Sequence, residues 1–273
     1  MENSVFSNSE PTKQEHVHRR VIIKIGSNVL LHGDGTAIDN TIGDIASSVH
    51  RLMEDGTEVV LVSSGAIALG RSRIGGAADS AEISILSAVG QSVLTAMYER
   101  AFRELGILSA QVLVTNDDVR DPARLVRFCH TLEHSMRRGF AAIVNENDVA
   151  THWAATEARV FHDNDMLAAI IAGALNADYL ILLTDVDGVY TAHPSVPGAR
   201  LLRNLADLRA CIEPHTGGHG RGGMSAKVHA ARFAVKHGCL RAVIANGRRP
   251  SVLTEIMNGS AVGTIIGRES AHD

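Results

Sequence analysis

"RVIIKIGSN", residues 20–28, decides how the rest of the chain is read. Apart from Arg20 and Lys24, positions 20–25 are apolar on both alternating faces, as in a strand covered on both sides. Gly26 and Ser27 then break the run with a turn. Runs of the same kind recur as "EVVLVS" (58–63), "ILSAQVLVT" (107–115), "FAAIVN" (140–145), "YLILLT" (179–184) and "RAVIAN" (241–246). The stretches between them carry helix punctuation. Asp121 before Pro122 reads as an N-cap with proline at the first helical position, while Gly106, Gly139 and Gly238 close helical runs. The alternation predicts βαβ units and a parallel sheet buried by helices on both faces.

Composition agrees. A chain of 273 residues suits one large α/β domain with one core. With 45% apolar and only 4% aromatic residues, that core is built from Val, Ile, Leu and Ala, which favours a helix-covered parallel sheet over an aromatic-packed sandwich. Lys plus Arg 26 against Asp plus Glu 30 leaves a formal charge of -4, so no basic field recruits nucleic acid and any anion must be held by local charges. Cys129, Cys211 and Cys239 are odd in number and lack CxxC spacing, which argues against disulfides and for a reducing compartment. The 14 histidines show no zinc-ligand spacing. Residues 1–18 are polar, with no apolar segment of a leader, and no later run is long enough to span a bilayer. The expectation is a cytoplasmic protein with a disordered tail at 1–18, unless "HVHRR" lies on a partner subunit, and a single domain at 19–273.

In such a sheet ligands belong at the carboxyl ends of the strands. Small and polar residues collect there. "KIGSN" (24–28) offers the cation of Lys24 and the backbone N–H groups of Gly26 and Ser27 to an anion, or is simply a lysine snorkelling from a strand end. "SSGAIALG" (63–70) presents the Ser64 hydroxyl or the Gly65 amide, or is a helix cap. In "GGHGRGGMSAKVHAARFAVKHG" (217–238) a nominal G-x-G-x-x-G, Gly218 to Gly223, lacks the preceding strand that a dinucleotide site needs. A helix starting near Met224 would put Lys227 in its first turn, where the dipole disfavours a cation unless a polyphosphate shares the site; the plain alternative is a surface loop before an amphipathic helix. "TDVDGVYTAHP" (184–194) could hold a nucleoside through Thr184 and Asp185, or be a tight turn; it lacks the ligand spacing of a calcium loop. "VNENDVA" (144–150) and "FHDND" (161–165) supply amides and carboxylates that cap helices, bind, or do both, with Asp163 best placed to cap the run beginning at Met166.

Taken in this order, and with "AVGQSVLTAMYERAF" (88–102), these stretches resemble the amino acid kinase family over about residues 20–266, and within it the branch that phosphorylates the γ-carboxylate of glutamate on the way to proline. The resemblance implies a three-layer αβα sandwich around a mostly parallel, roughly eight-stranded sheet. It implies ATP as phosphoryl donor, with Mg2+ carried on the ATP phosphates rather than in a protein metal site. By position, Lys24 and Lys227 would contact the phosphoryl group in flight and Asp165 would orient both. Ser64, Asp148 and Asn164 match the glutamate-binding positions. Gly26, Ser27, Thr184, Asp185, Gly222, Gly223, Met224 and Ser225, with Lys24 and Lys227, match the nucleotide-binding positions. L-glutamate and ATP as substrates, proline as feedback inhibitor and a homo-oligomer, tetramer or dimer, are implied as well. Ala226 stands where bacterial members commonly have Thr, and the resemblance is expected to cover the kinase region alone, without the PUA domain or reductase that some members carry. Sister branches act on N-acetylglutamate or UMP, and a non-catalytic nucleotide-binding protein of the same fold is the remaining alternative; "NEND" followed by "FHDND" favours glutamate. A γ-carboxylate with an ordinary pKa of about 4.3 is already ionised at neutral pH, so the chemistry calls for charge neutralisation rather than a general base.

Overall fold

The computed structural model describes residues 19–31, 35–75, 80–151, 163–204 and 223–267. The tail at 1–18, Phe161, His162, Cys211 and the glycine-rich loop up to Gly222 lie outside them.

β1 (Arg20–Ile25) buries every residue after Arg20 because it lies in the middle of the sheet. It pairs in parallel with β2 (Glu58–Ser63) on one side and with β5 (Tyr179–Thr184) on the other, Lys24 standing opposite Val62 and Leu182. With β3 (Ser109–Val114), β4 (Ala141–Glu146), β6 (Arg241–Asn246) and β7 (Thr264–Gly267), the order is β3-β4-β2-β1-β5-β6-β7, and only the β6–β7 pair is antiparallel. The expected mostly parallel sheet is present, with seven strands among the described residues against the roughly eight implied. β7 escaped the sequence reading because its four residues, "TIIG", are too few to show a period. The run at 107–115 is trimmed at its start. The Ile107 N–H bonds to Phe102 O at the end of the preceding helix, and Leu108 is 65% exposed.

The strands' two faces feed two cores. Ile22, Val60, Val62, Val144, Leu180, Leu182 and Ile244 pack under α6 (Pro122–Arg137), α8 (Asn164–Ala174) and α9 (Met224–Lys236). Val21, Ile23, Ile25, Leu61, Ile143, Ile181 and Val243 pack under α2 (Gly35–Glu54), α3 (Ala66–Ile74), α4 (Ser80–Glu104) and α10 (Val252–Met257). Three layers result, as expected. The edge strand β3 is the exception, only Val114 being fully buried. Short helices α1 (Ser27–Leu30), α5 (Asn116–Arg120) and α7 (Asp148–Thr151) follow β1, β3 and β4. No helix among the described residues is long and apolar enough to cross a membrane.

Helix starts fall where their capping residues put them. The Asp121 carboxylate accepts from Ala123 N and Arg124 N before Pro122 opens α6, and Asp163 accepts from Met166 N at 2.9 Å to open α8. α3 and α4 touch through glycine. A Cβ at Gly90 would lie 1.7 Å from Ala66 O, and one at Gly70 1.9 Å from Leu86 O, so backbone meets backbone where these two helices cross.

Candidate active site

Lys24, the fifth residue of β1, has the same phase as Ile22 and so faces the layer of α8 and α9. The first turns of those helices meet it there. Lys24 Nζ lies 2.8 Å from Asp165 Oδ1, and Lys227 Nζ lies 3.0 Å from Asp165 Oδ2. The side chains of Lys24, Asp165 and Lys227 are 6%, 1% and 10% exposed. One carboxylate between two ammonium groups leaves a surplus positive charge, and the amino ends of α8 and α9 add to it. Burial alone would push the Asp165 carboxyl up, but Lys24 and Lys227 together outweigh it and hold the group below the usual carboxylate range. At Lys24 burial wins instead. It pulls the ammonium below its ordinary value against the pull of Asp165, with Lys227 adding repulsion. The two shifts describe one cluster: the acid is firmly ionised, and the cation surplus waits for an anion. Gly26 sits directly above, where a Cβ would stand 3.7 Å from Lys24 Nζ and 3.1 Å from Leu183 O. A side chain there would reach into the space over the ammonium. The snorkelling alternative for Lys24 is therefore set aside.

Beside Asp165, Asn164 turns its side chain towards the ends of β2 and β4. Its Nδ2 donates to Asn145 Oδ1 (2.9 Å), Ser64 Oγ (3.1 Å) and Ser63 O (3.3 Å), while its Oδ1 is buried without a partner among the described residues. Ser64 does not cap α3. Gly65 takes that place at φ 108 with no side-chain bond, which leaves the hydroxyl facing Asn164. Asp148 Oδ2 accepts from Ser87 Oγ at 2.8 Å, and its backbone oxygen from Ser84 Oγ at 3.4 Å. Asn145, 3% exposed, donates through Nδ2 to Gln91 Oε1 at 2.7 Å. Tyr98, fully buried, meets Ser63 Oγ at 3.0 Å. The α4 residues Ser84, Ser87, Gln91 and Tyr98 thus form one polar stripe against this side of the site. The stretch read from the sequence, 88–102, holds Gln91 and Tyr98 without either being singled out, and Ser84 and Ser87 lie before it; polar residues three and four apart in an otherwise apolar helix were the available signal.

On the other side of β1, Thr184 Oγ1 donates to Asp185 Oδ1 (3.2 Å), and Asn28 Nδ2 donates to Asp185 Oδ2 (3.2 Å). Arg248 Nη2 donates to Asn28 O at 2.6 Å, tying the turn after β6 to the turn after β1. A cavity of about 370 Å3 opens next to them, lined among others by Asp187, Leu201, Arg203, Asn246, Arg249 and Gly263, within the size range of small-ligand pockets. A larger one, about 480 Å3 around Leu113, Asp118 and Arg124, lies on the β3 edge, and none of Lys24, Asp165 and Lys227 lines it; size alone does not locate the site. Gly223, Met224 and Ser225 lead into Lys227 at the start of α9, with Gly223 and Ser225 exposed and Met224 half-buried. Ser27 opens α1 directly after Gly26.

The chain matches the amino acid kinase family over residues 19–246. A glutamate 5-kinase from Chromohalobacter salexigens is 42% identical over 256 residues, which cover 91% of this chain and 66% of that protein. One from Symbiobacterium thermophilum is 39% identical over 258 residues, covering 92% of this chain and 97% of the relative. The chain therefore spans about two thirds of the length of the first relative and nearly all of the second. Among solved structures, carbamate kinase from Giardia lamblia bound to AMP-PNP superposes with a TM-score of 0.65 at 20% identity, over 93% of this chain and 100% of that one. Isopentenyl phosphate kinase from T. acidophilum in its product complex gives 0.61 at 20% identity, over 90% and 99%. At that identity the structures speak for the fold alone.

Proposed function

The chain belongs to the amino acid kinase family, and on that footing we propose that it transfers the γ-phosphoryl group of ATP to the γ-carboxylate of L-glutamate. The product is L-glutamyl 5-phosphate, the entry to proline biosynthesis. The observation that carries this reading is the carboxylate of Asp165 shared between the ammonium groups of Lys24 and Lys227, at 2.8 and 3.0 Å, between two sets of polar side chains. The identity to glutamate 5-kinases over most of the chain supports glutamate as the acceptor.

In this mechanism the acceptor carboxylate attacks as the ion it already is, so no side chain need remove a proton. Lys24 and Lys227 offset the charge of the phosphoryl group as it passes, and Asp165 keeps two flexible cations in one arrangement, which is the main contribution a protein makes to phosphoryl transfer. Ser64, Asp148 and Asn164 hold glutamate. Gly26, Ser27, Thr184, Asp185 and the segment Gly222, Gly223, Met224 and Ser225, with both lysines, hold ATP. Mg2+ bound to the ATP phosphates supplies further charge neutralisation. The two ammonium groups beside Asp165 leave this place a surplus of positive charge, which suits a metal that arrives already bound to its nucleotide rather than alone. Residues 19–273 work as a single kinase domain in the cytoplasm. The enzyme assembles as a dimer or tetramer, and proline inhibits it from the glutamate side.

Hydroxamate formation with MgATP tests the reading directly. Glutamate-dependent product that falls when proline is added is the expected result. ADP release with N-acetylglutamate or UMP but none with glutamate would move the chain to a sister branch, and tight ATP binding without turnover on any acceptor would make it a binding protein.

A further inference from the structure

The amide of Asn164 has a direction: Ser63 O, which can only accept, takes its N–H at 3.3 Å, and a chain of side chains reinforces that orientation from a distance. A carboxamide can rotate by half a turn at little cost unless its neighbours tell nitrogen from oxygen. Here the neighbours form a one-way chain. The Thr95 hydroxyl donates to the Gln91 backbone oxygen at 2.8 Å and so offers its own oxygen to Gln91 Nε2 at 3.3 Å. That turns Gln91 Oε1 towards Asn145, whose Nδ2 donates to it at 2.7 Å. Asn145 Oδ1 is thereby left to accept from Asn164 Nδ2 at 2.9 Å and from Glu146 N at 2.9 Å. The chain ends on Asn164 Oδ1, a buried acceptor without a donor among the described residues. Reversing any one amide would oppose two N–H groups or two oxygens, at a cost that burial makes heavy.

We propose that Gln91 is a positioning residue for the acceptor substrate: through Asn145 it reinforces the orientation of the Asn164 amide, so that an oxygen and not an N–H faces the substrate and takes a hydrogen bond from its ammonium group. The proposal rests on the glutamate reading above. Gln91 itself, 8% exposed on α4, touches no ligand in this scheme. A carboxylate-only acceptor, having no N–H to give, gains nothing from the arrangement, so Gln91 contributes to selectivity for amino acids.

The test compares wild type with Gln91→Met, which keeps the shape and loses both hydrogen bonds, Gln91→Glu, which keeps an acceptor for Asn145, and Thr95→Val, a milder change that frees Gln91 to turn. KM for L-glutamate should rise about tenfold in Gln91→Met, less in Thr95→Val, and return most of the way in Gln91→Glu, with KM for ATP constant throughout. In the double variant Gln91→Met with Asn164→Ala, KM for glutamate should not exceed that of Asn164→Ala alone. Thermal unfolding of each variant separates loss of fold from loss of orientation. An unchanged KM for glutamate in Gln91→Met, equal increases for glutamate and ATP, or additive effects in the double variant would each overturn the proposal; if Gln91→Met does not fold, the Thr95→Val and Gln91→Glu values decide in the same way. Failure of the underlying reading shows separately, as wild type that ignores glutamate. The same variants are then compared on the acceptor that wild type does use.

Discussion

Lys24 Nζ stands 2.8 Å from Asp165 Oδ1, joining the central strand to the first turn of α8 through side chains that are almost closed to water. Removing the charge at position 165 while keeping the shape leaves two buried ammonium groups facing each other. Asp165→Asn should lower kcat on the order of a hundredfold or more, because misplaced reacting groups cost that much. KM for ATP should change little, since most nucleotide contacts lie elsewhere. The variant should also lose up to about 3–5 kcal/mol of stability, the usual cost of breaking a buried pair. Steady-state kinetics and denaturant unfolding measure the two effects; an unchanged kcat would take Asp165 out of the mechanism.

Lys24 carries a signature in pH. Burial holds its ammonium below the ordinary lysine value in the free protein, so rising pH discharges it early. A bound polyphosphate favours the charged form and raises the pKa again. Binding of ATP at alkaline pH, above the free value and below the bound one, should therefore take up a proton, and kcat/KM for ATP should fall as pH climbs through the free value. Calorimetry in two buffers of different ionisation enthalpy reads the proton directly. Heats that do not depend on the buffer, or depend on it equally in Lys24→Met, would contradict the assignment.

Ser87 holds the carboxylate of Asp148, which on the proposed reading binds glutamate. Its hydroxyl donates to Asp148 Oδ2 at 2.8 Å, and Ser87→Ala removes that bond without touching the lysines. The loss of about 1 kcal/mol should appear as a roughly fivefold rise in KM for glutamate at constant KM for ATP. A fall in kcat with KM unmoved would point to a different task for this serine.

Two glycine substitutions should change stability in opposite directions. Gly90→Ala drives a methyl group to 1.7 Å from Ala66 O, which α3 and α4 can relieve only by moving apart; overpacking of this kind costs about 1–3 kcal/mol or more. Gly43→Ala on α2 meets nothing within 4 Å and should stabilise by roughly 0.5–1 kcal/mol, the helix-interior difference between the two residues. Unfolding temperatures that shift the same way in both would refute the packing account. Gly90→Ala should also weaken glutamate turnover, since α4 carries Ser87 and Gln91.

Much of this architecture was legible beforehand. Five of the six longer strands could be read because burial on both faces leaves them largely apolar; β3, half-exposed at the sheet edge, showed only through the longer run "ILSAQVLVT", and β7, with four residues, was not readable. Asp121 and Asp163 marked their helix starts because a capping carboxylate works through its immediate neighbours. Lys24, Asp165 and Lys227 could be named, but their meeting depends on β1, α8 and α9 packing together, which no local pattern encodes. Ser64 was undecided between capping and binding until Gly65 took the capping position. Gln91 stayed silent for a related reason. Its partner Asn145 lies 54 positions away, and only the crossing of α4 over the end of β4 gives a glutamine there a task.

The strand order has a consequence for how such a protein can change. Ser64, Asn145 and Asp148 lie at or just past the ends of β2 and β4, while Thr184, Asp185 and Asn246 lie at or just past the ends of β5 and β6, with β1 between the two groups. On the proposed reading, donor and acceptor are served by opposite flanks that meet at β1 and at the cluster of Lys24, Asp165 and Lys227. An evolving or redesigned descendant can rebuild the left flank for a new recipient molecule while inheriting the right flank intact, so long as the seam down the middle is left alone.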